Sequence, residues 1–169
     1  SAIQAAGAPD SSGNYFTNSF EGGTDDWSAR GSASVNINSR NYYDGSNSLY
    51  VSGREAEWNG ASITLDSSVF SVGETYSFSA AVLQTSGKDG TMQMSLQQSN
   101  DDGATYTHIT DCTAKSGEWT KLENTEFTIP SNSGDMVLYI ETPEASGDLC
   151  SFYLDAVQVS TSGKSSSVV

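Results

Sequence analysis

The stretch 136–142 reads Met-Val-Leu-Tyr-Ile-Glu-Thr and carries the residues with the most informative chemistry. Side chains alternate between the faces of a β-strand, so Leu138 and Ile140 would join a core while Tyr139 and Glu141 share the other face. An aromatic ring offers a flat apolar surface, and a carboxylate accepts hydrogen bonds. A sugar ring has apolar C–H faces and a rim of hydroxyls, so it can bind to both groups at once. We therefore expect an exposed, sugar-facing pair on this strand.

Short β-strands are the elements that would position this pair. Apolar and polar residues alternate with a period of two through most of the chain, and no segment shows a convincing helical period. Turns rich in Gly, Asn and Asp separate the runs. This pattern predicts an all-β fold, an antiparallel two-sheet β-sandwich or jelly roll. Strands are predicted at 34–37, 49–51, 61–65, 75–84, 92–97, 119–122, 125–129, 136–142 and 152–159.

The length of 169 residues suits one domain with a proper core. Residues 1–13 and 161–169 lack any period and are rich in small residues, which predicts a flexible N-terminal segment and a flexible linker or tail. The domain itself is expected at 14–160, as a module of a longer protein.

Acidic residues outnumber basic ones by 21 to 7, and the formal net charge is −14. Nucleic acids and anionic membrane surfaces need clustered Lys and Arg, so neither is expected as a partner. An uncharged polymer is compatible with this charge. The polar, Lys-poor composition is common in secreted proteins and favours an extracellular location.

Cys112 and Cys150 are the two cysteines. In an exported chain such a pair favours a disulfide. Without nearby histidines, two thiols cannot form a tetrahedral zinc site.

Six short motifs then follow one another in order. They are Trp-Ser-Ala-Arg at 27–30, Gly-Ser-Asn-Ser-Leu-Tyr-Val at 45–51, Trp-Asn-Gly-Ala at 58–61, Gly-Glu-Trp-Thr-Lys-Leu at 117–122, Leu-Tyr-Ile-Glu-Thr at 138–142 and Phe-Tyr-Leu-Asp-Ala-Val at 152–157. Their order and spacing resemble carbohydrate-binding module family 22, the xylan-binding modules attached to xylanases. The resemblance covers residues 14–160, whereas the two cysteines fall outside the family pattern.

The resemblance implies a binding cleft across the concave sheet, formed by Arg30, Trp58, Tyr106, Tyr139 and Glu141. The three rings would stack on successive sugars, while Arg30 donates to hydroxyls and Glu141 accepts from them. Xylan and xylo-oligosaccharides are the expected ligands, with mixed-linkage β-1,3-1,4-glucan as a second possibility. Trp27 and Trp119 lie in motifs that look structural, and both are assigned to the core or its edge.

The resemblance also implies a structural calcium ion, remote from the cleft, that joins the first and last strands. Glu21 and Asp155 match its side-chain ligands. Calcium takes six to eight oxygens, so backbone carbonyls around 40–46 and near Asn18 would complete its shell. The alternative is that Asp155 pairs with a base or caps a loop.

Catalysis finds little support in the sequence, because His108 is the single histidine and no nucleophile elbow surrounds it. We expect a non-catalytic, monomeric module that keeps an attached xylanase near plant cell wall polysaccharide. Two alternatives stay open. A small all-β glycoside hydrolase needs only two carboxylates in a cleft, and an adhesion module would bind another glycan or a protein.

Overall fold

The computed structural model describes residues 7–132 and 134–169 and confirms the predicted all-β architecture. The strands are β1 (Asn14–Asn18), β2 (Ser28–Arg30), β3 (Ser34–Asn38), β4 (Ser48–Ser52), β5 (Gly60–Leu65), β6 (Thr75–Gln84), β7 (Gly90–Asn100), β8 (Gly103–Ala114), β9 (Thr120–Thr128), β10 (Asp135–Glu141) and β11 (Phe152–Thr161). A 3₁₀ turn, Glu144–Ser146, follows β10. No helix in these two ranges is long and apolar enough to span a membrane.

The strands form two antiparallel sheets that pack face to face. The six-stranded sheet has the order β3-β4-β11-β6-β9, with β1 also paired to β11. The five-stranded sheet has the order β2-β5-β10-β7-β8, which places β10 at its centre. The stretch 136–142 is therefore the middle of one layer of the sandwich.

The core between the sheets follows the predicted alternation. Leu138 and Ile140 of β10 and Phe78 and Val82 of β6 are completely buried. Burying each such side chain contributes about 1.5–3 kcal/mol relative to leaving it in water. The opposite residues of β10 are consequently free to build the outer face of the five-stranded sheet.

The outer face of the six-stranded sheet is partly covered by residues near the C-terminus. The Ser77 hydroxyl donates to the carbonyl of Lys164 at 2.5 Å, and the Ser166 amide donates to Glu123 at 2.9 Å. Val168 is 2% exposed. At the other end, the Thr161 amide donates to the Gly13 carbonyl at 2.9 Å. Flexible ends at 1–13 and 161–169 stay a prediction, and residues 1–6 lie outside the described ranges.

Both cysteines are free thiols, so the predicted disulfide is wrong. Cys112 lies on β8 of the five-stranded sheet, whereas Cys150 precedes β11 of the six-stranded sheet. Each packs separately against the core, partly buried, as a small apolar residue would. Burial raises the pKa of each thiol from 9.0 to about 11.

The two tryptophans assigned to structure lie where the sequence predicts. Trp27 is 2% exposed, and its Nε1 donates to the side-chain oxygen of Asn18 at 2.9 Å. Trp119 is half-buried at the sheet edge and meets Tyr43 edge to face, with ring centroids 6.0 Å apart.

Candidate functional site

A cleft of about 1010 Å³ runs across the exposed face of the five-stranded sheet. All five residues predicted from the sequence line it: Arg30, Trp58, Tyr106, Tyr139 and Glu141. Further lining residues are Glu57, Ser62, Thr64, Gln93, Gln97, Val137 and Glu144.

Strand register explains why residues so distant in sequence meet. Glu141 lies opposite Gln93 of β7, and Tyr139 lies between Ser62 of β5 and Ser95 of β7. Paired residues of antiparallel strands point to the same face. The cleft therefore consists of alternate residues of neighbouring strands, centred on β10.

Tyr139 differs from the prediction of an exposed sugar-facing ring. Its side chain is 3% exposed, because the guanidinium carbon of Arg30 lies 3.6 Å from its ring centroid. A cation this close to an aromatic face is attracted by the ring quadrupole. Burial raises the pKa of the Tyr139 phenol. In this arrangement Tyr139 supports Arg30, and that face of its ring is not open to a ligand.

Arg30 lies between two rings of the cleft, since its guanidinium is also 5.9 Å from the Trp58 ring centroid. Its Nε is buried and has no hydrogen-bond partner among the described residues. A buried donor without a partner costs free energy, so the position of Arg30 over Tyr139 is maintained against that cost.

Trp58 and Tyr106 are the aromatic side chains of the cleft that are open to solvent, at 53% and 63% exposure. Trp58 lies in the loop between β4 and β5, and Tyr106 lies on the edge strand β8. Gly31 leaves room for the Trp58 ring, because a Cβ at that position would come within 2.8 Å of its Cζ3. Gly31 also has a φ of +68°, which favours glycine.

The loop that carries Trp58 is held by Arg54, a residue that the sequence analysis missed. Arg54 is 6% exposed and donates to the carbonyls of Asn59 at 2.8 Å, Glu57 at 2.7 Å and Cys150 at 2.7 Å. It also donates to the Thr142 hydroxyl at 2.6 Å. Burial lowers the pKa of its guanidinium. A buried arginine that holds three carbonyls fixes the backbone beside the stacking ring.

The Glu141 carboxylate accepts two hydrogen bonds through the same oxygen. Gln93 Nε2 and Ser95 Oγ both donate to its Oε2, at 2.8 and 2.9 Å. Its Oε1 accepts no hydrogen bond from the residues that the structure describes, which leaves this oxygen for a ligand. Neither Gln93 nor Ser95 was singled out from the sequence, although their alternation on the strand predicted at 92–97 puts both on the polar face of that strand.

Glu21 and Asp155 both bind the loop at 43–47. The Glu21 carboxylate accepts from the amides of Ser46 at 2.7 Å and Asn47 at 3.0 Å. Asp155 is fully buried and accepts from the amides of Tyr43 at 2.9 Å and Asp44 at 3.0 Å. Burial raises the pKa of the Asp155 carboxyl.

These two carboxylates have the oxygen chemistry that calcium prefers. No group of three or more His, Cys, Asp or Glu residues that could hold a metal occurs within 7–132 and 134–169. Asp155 also forms no ion pair with a basic side chain within those ranges, which leaves a buried charge that a cation would neutralise. The residues thus fit a calcium ion only if backbone carbonyls or water supply most of its ligands.

The sequence and the fold of this chain are similar to those of known carbohydrate-binding domains. The family described as "Carbohydrate binding domain" matches residues 12–147. A xylan-binding domain of carbohydrate-binding module family 22 superposes with a TM-score of 0.87 at 36% identity, covering 94% of this chain and all of that one. The C-terminal family 22 module of Clostridium thermocellum Xyn10B, described for the role of conserved cleft residues in ligand binding, gives a TM-score of 0.88 at 36% identity with the same coverage.

A relative of much greater length is also similar to this chain. The xylanase/beta-glucanase of Ruminococcus flavefaciens is 42% identical over 156 residues, which are 92% of this chain and 19% of the relative. The chain spans less than a fifth of the length of the curated relatives it matches. Together with the sandwich and its cleft, these matches confirm the resemblance seen in the sequence: the chain is a non-catalytic binding module that belongs to carbohydrate-binding module family 22.

Proposed function

We propose that this module binds xylan and xylo-oligosaccharides in the cleft of its five-stranded sheet. The observation that carries the proposal is that two solvent-open rings, Trp58 and Tyr106, line the same cleft as a hydrogen-bond donor and an acceptor. Trp58 and Tyr106 stack on sugar C–H faces. Arg30 donates to hydroxyls, and Glu141 accepts through its Oε1.

Affinity electrophoresis on gels that contain xylan, mixed-linkage β-glucan or cellulose tests this function directly. Retardation by xylan is expected, together with a Kd for xylohexaose between about a micromolar and a millimolar, or roughly 4–8 kcal/mol. Absence of binding to every sugar would favour the adhesion alternative with a different partner. Sustained release of reducing ends from xylan would favour the hydrolase alternative.

Mixed-linkage β-1,3-1,4-glucan is the second ligand to consider. The relative named xylanase/beta-glucanase motivates it. Glucose and xylose differ by a hydroxymethyl group, so discrimination depends on the space beside the two rings. Retardation of equal strength on both gels would support a module with dual specificity.

The long relatives are named as xylanases, which supports a place for this module beside a catalytic domain in a secreted enzyme. Tethering would raise the effective concentration of the catalytic domain at its polymer. We propose a monomeric module in this setting. Sedimentation of the module, alone and with its ligand, tests whether it is monomeric.

We also propose that Glu21 and Asp155 contribute to a structural calcium site. The fully buried Asp155 carboxylate supports it, because calcium would neutralise a charge that has no cationic side chain paired with it in the described part of the chain. Calcium binding to the folded state alone would raise stability by mass action. Chelation should therefore lower the melting temperature more than it lowers sugar affinity. A chelator that leaves the melting temperature unchanged would remove the calcium proposal.

A further inference from the structure

The edge strand β8 contains an irregularity beside the cleft. Its pairing with β7 shifts between Met94 and Ser95, so that Met94 lies opposite Thr110 whereas Ser95 lies opposite His108. One extra residue, Ile109, is thereby accommodated in β8, and it is buried at 3% exposure. Bulges of this kind occur at sheet edges and beside binding sites, where they redirect a side chain.

The bulge brings two side chains onto the same face that regular alternation would separate. His108 lies opposite Ser95 and Asp111 lies opposite Gln93, the two residues that hold Glu141. Residues three apart in a regular strand point to opposite faces. Here His108 Nε2 and Asp111 Oδ2 are instead 2.7 Å apart, with both side chains about half exposed.

We propose that His108 and Asp111, which lie beside the cleft and outside its lining, form a further sugar subsite at its β8 side. This inference rests on the proposed function, because it extends the same sugar-binding face by one strand. The two residues continue the polar row of Glu141 and Gln93 towards the sheet edge. His108 also lies two residues from Tyr106, whose ring is 63% exposed.

The chemistry of the pair suits a hydroxyl-rich ligand. Their mutual bond uses one nitrogen of His108 and one oxygen of Asp111, and neither Nδ1 nor Oδ1 has a hydrogen-bond partner in the described part of the chain. A vicinal diol of a sugar can bond to both atoms at once. A half-exposed surface pair of this kind adds little to stability, so its removal should leave the fold intact.

Calorimetry with ligands of two lengths tests the subsite. An end subsite should contribute to the binding of xylohexaose but add little for xylotriose, which is too short to occupy every subsite of the cleft at once. His108→Ala and Asp111→Ala should each weaken xylohexaose binding about three- to tenfold, the loss of one or two hydrogen bonds. Binding of xylotriose should change less than about twofold.

Asp102→Ala is the matched control, because it removes the same charge from the exposed turn before β8. It should leave both affinities unchanged. Melting curves show whether Asp111→Ala disturbs the bulge. If it does, Asp111→Asn, which keeps the size and shape of the side chain, replaces it in the binding experiment. Equal losses for both ligands, or no loss, would overturn the subsite while leaving the proposed function intact. Failure of the unaltered module to bind either ligand would overturn both.

Discussion

At the scale of single residues, the cleft divides its aromatic side chains between two tasks. Trp58 and Tyr106 expose their rings, whereas Tyr139 lies beneath the Arg30 guanidinium at 3.6 Å from its centroid. A ring covered by a cation fixes that cation in place and cannot also stack on a sugar through the same face. Stacking and hydrogen bonding therefore depend on different residues, which can be altered separately.

Replacing Trp58 with alanine should abolish most sugar binding without unfolding the module. A central stacking residue contributes about 2 kcal/mol or more, which corresponds to roughly a thirtyfold loss of affinity. The ring is 53% exposed, so the free energy of unfolding should change by less than about 1 kcal/mol. Calorimetry with xylohexaose and chemical denaturation measure the two effects. Unchanged affinity of the Trp58→Ala variant for xylohexaose would contradict the proposal that sugar binds in this cleft.

A double-mutant cycle can show whether Gln93 acts through Glu141. Gln93→Met keeps the length of the side chain but removes the donor to Glu141, and should cost about 1 kcal/mol of binding free energy. The same substitution in a Glu141→Ala background should cost little more, because its partner is gone. Affinities of the four proteins for xylohexaose give the coupling. Additive losses would show that Gln93 contributes independently of Glu141.

At the scale of elements, period-two alternation was enough to predict the sandwich and the face on which the cleft lies. It identified Leu138 and Ile140 as core and Tyr139 as outward-facing. It could not show that Arg30, which is 109 residues earlier in the sequence, folds over that tyrosine. Contacts between distant strands depend on register, and alternation within one strand does not specify register.

The loop between β4 and β5 shows the same limit, because Arg54 looks like any surface arginine in the sequence. Arg54→Lys should lower the free energy of unfolding by about 2–4 kcal/mol, since an ammonium group cannot reproduce the four bonds of the guanidinium fork. Sugar affinity should fall too, because Trp58 loses its fixed loop. Urea denaturation and calorimetry measure both. The exposed Arg40→Lys is the control and should change neither.

The free thiols predict a dependence of stability on alkaline pH. Burial holds the pKa of Cys112 and Cys150 at about 11 in the fold, against an ordinary value of 9.0. Between these values the unfolded chain releases its thiol protons before the folded one, so the free energy of unfolding falls as pH rises from 9.0 towards 11.

Urea denaturation across this range measures the effect, and the Cys112→Ser, Cys150→Ser double variant should show a smaller decrease, because only the phenols with raised pKa values, such as Tyr139, then contribute to it. At pH 8 the native thiols should also react slowly with iodoacetamide, and quickly once the chain is unfolded. Absence of reactive thiols in the unfolded, unreduced protein would instead indicate a disulfide.

At the scale of the whole molecule, charge should select among xylans. The net charge is −14, and the lining of the cleft contains the cation of Arg30 together with three carboxylates, those of Glu57, Glu141 and Glu144. Xylan that carries glucuronosyl groups should bind more weakly than neutral xylan at low salt, and the difference should shrink near 1 M salt, where the screening length is about 3 Å. Calorimetry with both polymers measures the two affinities. Equal affinity for the two xylans at low salt would contradict the prediction. Glu144→Gln removes one carboxylate from the cleft and should reduce the difference in affinity.

The close approach of Gly31 to Trp58 has a consequence for recognising functional relatives. Any side chain at that position would displace the Trp58 ring and the buried side chain of Asn59, whose Nδ2 would lie 2.2 Å from the new Cβ, and it would strain a backbone with a φ of +68°. A related sequence could thus keep all five cleft residues and still bind sugar weakly, because the loop that carries Trp58 and Asn59 would be displaced. Relatives that bind sugar through this loop are accordingly expected to keep glycine at the position aligned with Gly31.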